Sequence, residues 1–163
     1  MQPAGPESEG RERDIPGVIA PPPLIYLGGL GLGFLLEAVL PGGSLPSVVH
    51  WGLGAALAAL AVGLLGWWVS SFRRASTPLP PYEPTTALVT DGPYRLTRNP
   101  GYLAFALLYA AIALLADAPW ALLPLPVVLA VIQGGVIVRE ERYLARLFGR
   151  DYAAFKARTR RWV

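Results

Sequence analysis

The chain has no cysteine, a single histidine and a single methionine among 163 residues, and only 15% of it is charged. Without cysteine there is no disulfide framework, no thiolate metal site, no cysteine nucleophile and no palmitoylation. One histidine leaves no cluster of imidazoles for a metal, so no metal site is expected. The shortage of charge is the most telling absence, because an average soluble domain carries about 25% charged residues. The remainder is 53% hydrophobic and falls in long uninterrupted blocks, which implies lipid as the main solvent. The net charge of +3 matters less than its placement, since basic loops of membrane proteins face anionic headgroups. Nucleic-acid binding is the weaker reading of that charge.

Residues 1–23 combine Pro, Gly and Ser with mixed charges (Glu7, Glu9, Arg11, Glu12, Arg13, Asp14) and have no apolar period, so a disordered tail is expected. Mixed charges and the distance to the first apolar run argue against a cleavable signal peptide. One membrane domain is expected over 24–163. Its spans fall at about 24–40, 48–69, 100–116 and 120–138, with cytoplasmic helices over 139–163. The expected fold is therefore all-α, a polytopic bundle of about four transmembrane helices plus a C-terminal amphipathic helix.

Local signals place the boundaries. The first span carries Gly28, Gly29, Gly31 and Gly33, small residues that permit a close neighbour and leave a helix-paired oligomer open. Glu37, near its end, should face the bundle or reach the interface. Leu40 to Pro46 reads as a tight turn, and His50 just after it reads as a solvated interface residue without a role. Trp67 and Trp68 close the second span as an aromatic belt, followed by Arg73 and Arg74. The connector 75–99, with Pro78, Pro80, Pro81, Pro84 and Pro93, is too proline-rich for a helix. Asn99-Pro100 reads as an N-cap with proline at the first helical position. Pro124 and Pro126 imply a late start or kink in the fourth span. Beyond it, Tyr143, Leu144, Leu147 and Phe148 form one face of an amphipathic helix and Arg142, Arg146 and Arg150 the other. Gly149 should break that helix before a short last one from Asp151 to about Arg158.

Of the 14 Arg and Lys residues, two lie in the tail, four between 70 and 99 and eight after 138. The two turns on the opposite side hold none. The positive-inside rule then puts both termini in the cytoplasm, in a bacterial setting at the cell inner membrane. The nearly uncharged spans argue against a transporter. Polar residues converge instead at one mouth of the third and fourth spans, an antiparallel hairpin. Gly92-Pro93-Tyr94-Arg95 and Arg98-Asn99-Pro100 stand at the start of one, and Arg139-Glu140-Glu141-Arg142 at the end of the other. A helix N-terminus flanked by arginines suits a carboxylate or phosphate. Two adjacent carboxylates suit an ammonium, a sulfonium or ribose hydroxyls. The bland reading makes the arginines membrane anchors and Glu140 and Glu141 their counter-ions.

These residues carry a resemblance. Gly92-Pro93-Tyr94-Arg95-Leu96-Thr97-Arg98-Asn99-Pro100-Gly101-Tyr102-Leu103, Glu140-Glu141-Arg142-Tyr143-Leu144, Phe148-Gly149-Arg150-Asp151-Tyr152 and Arg160-Arg161-Trp162 together resemble the isoprenylcysteine carboxyl methyltransferase and phospholipid methyltransferase family of membrane enzymes. The resemblance implies S-adenosylmethionine as cofactor. It also implies a site made of Tyr94, Arg98, Asn99, Pro100, Tyr102, Leu103, Glu140 and Glu141, with Arg98, Glu140 and Glu141 as the catalytic groups. Asn99 stands where the family more often has His, and it cannot titrate near neutral pH. The implied reaction is methyl transfer to a lipophilic acceptor: an isoprenylcysteine carboxylate, a phospholipid amine or a small thiol. If the acceptor is an amine, Glu140 and Glu141 are the nearby bases. The competing reading is a non-enzymatic scaffold that binds a partner or anionic lipid through its basic C-terminal helix.

Overall fold

A computed structural model describes residues 16–40, 42–76 and 85–163. The charged tail up to residue 15 and the prolines at 78–84 lie outside the described residues. The described residues include five α-helices: α1 (Pro22–Val39), α2 (Gly54–Ala75), α3 (Pro100–Leu115), α4 (Leu125–Ile132) and α5 (Val138–Arg158). A π-helical turn, Val48–Leu53, leads straight into α2, and a second, Gln133–Ile137, joins α4 to α5. No strand occurs among the described residues, so the fold is an all-α membrane bundle.

Three rods are long and apolar enough to cross a bilayer: Pro22–Val39, Val48–Ala75 and Pro119–Arg158. The expected third span, α3, has 16 residues and so reaches only about 24 Å at ~1.5 Å per residue, short of the ~30 Å hydrocarbon core. It is also the most enveloped helix, with Ala104, Tyr109, Ala111 and Ala113 all buried. Its surroundings are therefore other helices for most of its length, which relaxes the need to match the bilayer. Large apolar side chains on the outer rods face away from the bundle, Leu24, Leu35, Leu60, Val62 and Val127 among them. In a bilayer that surface meets acyl chains.

Close approach, rather than a hydrophobic drive between helices, holds such a bundle together. At Gly33 an added Cβ would stand 2.6 Å from the Ala121 carbonyl oxygen, so α1 lies directly on the turn that precedes α4. Tyr109 reinforces the same junction. Its hydroxyl reaches the carbonyls of Gly29 (3.0 Å) and Ala121 (2.8 Å) and donates its one proton to either. On this outer side Glu37 Oε2 accepts from Trp120 N at 2.8 Å, which ties the end of α1 to the hairpin turn. His50, expected to be solvated and idle, lies 3.7 Å from Asp117 through Nδ1. Asp117 Oδ1 also accepts from Leu45 N at 2.7 Å.

Three expectations need revision. Residues 16–21, assigned to the tail, pack on the bundle: Ile19 N donates to Gly135 O and Arg139 Nη1 to Gly17 O at 2.9 Å. Asn99 occupies the N-cap position of α3 but makes no side-chain capping bond. On the amphipathic face of α5, Tyr143 is buried while Leu147 is 41% exposed. At Gly149 a φ of 46° and a ψ of −111° break the helix as expected. The broken end folds back, and Tyr152 and Phe155 are buried again.

The Gly33 contact yields a prediction. Gly33→Val forces a branched side chain into backbone, and overpacking of this kind costs about 1–3 kcal/mol. The expected result is a lower thermal midpoint in detergent, whereas Gly31→Val, with open space at its Cβ position, leaves the midpoint near that of the parent.

Candidate functional site

The candidate mouth is assembled from the end of α2, the segment 85–99, the first turn of α3, the start of α5 and the part of α5 beyond Gly149 that carries Tyr152 and Phe155. They surround a cleft of about 870 Å³, its open mouth included. Tyr94, Arg98, Asn99, Pro100, Tyr102, Glu140 and Glu141 all line it. Leu103, the remaining residue implied by the resemblance, does not line the cleft. It follows Tyr102 by about 100° around the helix, and its N–H bonds back to Asn99 O.

The two adjacent carboxylates have different partners. Glu141 accepts a forked pair of bonds from Arg161, Nε to Oε1 at 2.9 Å and Nη2 to Oε2 at 2.8 Å. Arg98 Nη1 stands 3.3 Å from Glu141 Oε1. Burial alone would raise the pKa of Glu141, but the Arg161 bonds and the charges of Arg98 and Arg161 outweigh it and hold the group below the ordinary carboxylate range. Among the described residues Glu140 has no cation on it. Its Oε1 accepts from the Tyr102 hydroxyl at 2.6 Å. Burial pushes Glu140 up to about 7, with the Tyr102 bond opposing and the Glu141 charge adding. Near neutral pH one carboxyl is thus firmly ionised and its neighbour is poised between states, the pattern found where acid-base work is divided.

Arg98 is the other distinctive group. Its Nε and Nη1 are buried and have no hydrogen-bond acceptor among the described residues. Unsatisfied buried donors are costly, and a guanidinium edge in that state matches a carboxylate or phosphate oxygen pair. Around it the walls are aromatic. Trp68, assigned from sequence to a lipid-facing belt, instead donates through Nε1 to Tyr94 Oη at 3.0 Å, and its ring lies against Gly101, where any Cβ would come within 2.7 Å of it. Burial pushes the Tyr94 phenol up. Tyr152 is pushed up to about 12 by burial and the Glu141 charge, against the charge and hydrogen bond of Arg98.

Arg161, Trp68, Tyr152 and Phe155 were not assigned to the site from sequence. Arg161 and Tyr152 stood in the motifs quoted above but looked like a basic terminus and an amphipathic face. Asn99 serves differently from the expected cap: its Nδ2 donates to Arg161 O at 2.8 Å, so it fixes the C-terminal segment.

A helical membrane bundle with a polar, half-enclosed cleft at one mouth is the class of protein these features define. The family model described as phospholipid methyltransferase matches residues 49–151, more than half of the chain, and the chain belongs to that family. It is thus a membrane methyltransferase. No curated protein and no solved structure matches it.

The buried carboxyl makes a prediction. The folded chain binds the Glu140 proton more tightly than the unfolded one does, so the stability linked to it is present at acid pH and is lost as pH rises from about 4.5 through about 7. Glu140→Gln removes that loss. Relative to the parent, the variant gains on the order of 3 kcal/mol between those limits, read as thermal unfolding in detergent across the pH range. A difference between the two proteins that does not change with pH would contradict the assignment.

Proposed function

We propose that this chain transfers a methyl group from S-adenosylmethionine to a lipophilic acceptor at the cytoplasmic face of the membrane. The observation that carries the reading is Arg98, whose buried Nε and Nη1 make no hydrogen bond among the described residues, lining the same cleft as Glu140. The cofactor's amino-acid carboxylate suits Arg98, and Tyr94 with Trp68 gives the nucleoside an aromatic wall. When bound, S-adenosylmethionine supplies an electrophilic methyl group on a sulfonium.

The chain's own residues then do three things. Arg98 and the first turn of α3 bind and orient, which converts a bimolecular encounter into a positioned one. The ring wall of Trp68, Tyr94 and Phe155 excludes water, as displacement at a sulfonium requires. Glu140 Oε1 either accepts hydrogen bonds from the bound molecule or, for an amine acceptor, takes up its proton. Glu141, held by two arginines, contributes charge and position rather than proton transfer. Tyr102 stays on Glu140 as donor, and Asn99 and Pro100 shape the floor. The acceptor is lipid-borne in this reading and arrives from the bilayer. The concentration of Arg and Lys in the tail, the 70–99 connector and the C-terminal segment supports a cytoplasmic side of the inner membrane for both termini.

Isothermal titration of detergent-solubilised protein with S-adenosylhomocysteine tests it. Binding is expected, and Arg98→Gln should weaken it at least about thirtyfold, the equivalent of ~2 kcal/mol for removing one member of a buried charged contact. Folded parent protein that shows no binding would refute the proposal. Incubation with methyl-labelled S-adenosylmethionine and membrane extract then identifies the labelled product.

A further inference from the structure

Residues 159–163 lie beyond the region matched by the family model, yet they are bonded to the heart of the mouth. Arg98 N donates to Arg160 O at 2.9 Å. Thr97 Oγ1 and Asn99 Nδ2 both donate to Arg161 O, at 3.0 and 2.8 Å. Trp162 Nε1 donates to Gln133 Oε1 at 2.8 Å. The last residues are thus a strap across the loop that carries Arg98.

The side chain of Arg161 adds an electrostatic effect. Two guanidinium groups compete for one carboxylate, because Glu141 lies between Arg98 and Arg161. Arg161 takes the forked, two-bond geometry, which is the stronger one. Arg98 is left with Nη1 at 3.3 Å from Glu141 Oε1, outside hydrogen-bond geometry, and with a buried Nε that has no acceptor among the described residues. Without Arg161, the half-buried carboxylate would have Arg98 as its closest cation, and a full ion pair between them would turn the Arg98 edge away from the cleft.

We infer that Arg161 is a positioning residue: by occupying Glu141 it keeps the guanidinium edge of Arg98 available to the carboxylate of the bound cofactor. This rests on the function proposed above. Arg161 touches neither the cofactor nor the acceptor in this role.

The test compares two ligands by titration calorimetry: S-adenosylhomocysteine, which has the amino-acid group, and 5′-methylthioadenosine, which has the same nucleoside and sulfur without it. Parent protein binds both. Arg161→Gln should weaken S-adenosylhomocysteine binding about tenfold or more and leave 5′-methylthioadenosine within about twofold. Arg161→Lys keeps the charge but loses the fork, and it should fall between; if the glutamine variant does not fold, this variant decides. Unchanged S-adenosylhomocysteine affinity in a folded variant would overturn the inference. Equal losses for both ligands would overturn it too, since Arg161 would then merely hold the fold. Failure of the parent to bind S-adenosylhomocysteine is a separate result, which removes the proposed function and this inference with it.

Discussion

The carboxylate of Glu141 between Arg98 and Arg161 is the contact on which the mouth depends. It joins three segments that are far apart in the chain: the loop before α3, the first turn of α5 and the C-terminal end. An ion pair in this half-buried setting is not by itself a large source of stability. Its value lies in geometry, since the fork fixes the guanidinium plane of Arg161 while the adjoining backbone bonds fix the loop of Arg98. The contact is possible only because Gly149 breaks α5. A straight helix would carry residues 150–158 out into solvent, away from the bundle, and Arg161 with them.

The rest of the bundle is built to leave that mouth undisturbed. Charged groups are expensive in hydrocarbon, and the rods between the two faces are nearly free of them. Their cohesion comes from glycine contacts such as Gly33 on Ala121, and from hydroxyls such as Tyr109 that spend their proton on a neighbouring backbone. A second set of polar ties at the opposite face, Glu37 to Trp120 and Asp117 to Leu45, pins the turns. The bundle is thus clamped at both ends and packed by shape in between. The cleft sits at the clamp that carries most charge.

How much of this could be read in the residues depends on range. Hydropathy over long windows located the apolar rods, and Asn99-Pro100 marked the start of α3 because proline tolerates only that part of a helix. Gly149 announced its break for the same local reason. The clustering of Arg98 with Glu140 and Glu141 followed from the antiparallel hairpin alone. What failed to show was long-range partnership. Arg161 is one of eight basic residues after position 138, and any of them passes for a membrane anchor. Trp68 looked like a belt residue because its neighbour Trp67 is one, 43% exposed; only the helix rotation turns Trp68 inward. Asn99 has the right residue type for a cap, but the carbonyl of Arg161 offered it a better partner. The brevity of α3 was hidden because an enveloped helix and a lipid-facing one are equally apolar.

Glu140 and Glu141 show why residue type and position leave chemistry undecided. They are consecutive, identical in kind and equally near the membrane face. A helix sets successive side chains about 100° apart, and that rotation is enough to send one toward two arginines and the other toward a tyrosine hydroxyl among apolar walls. The first is thereby kept ionised and held in place. The second keeps its proton to near neutrality because no cation among the described residues compensates its burial. If both had met arginines, neither could move a proton near pH 7. If neither had, two buried like charges would oppose each other with no cation to relieve them. Placing the cations on one glutamate alone gives a single mouth one carboxylate held ionised and a neighbour that keeps its proton to near neutrality.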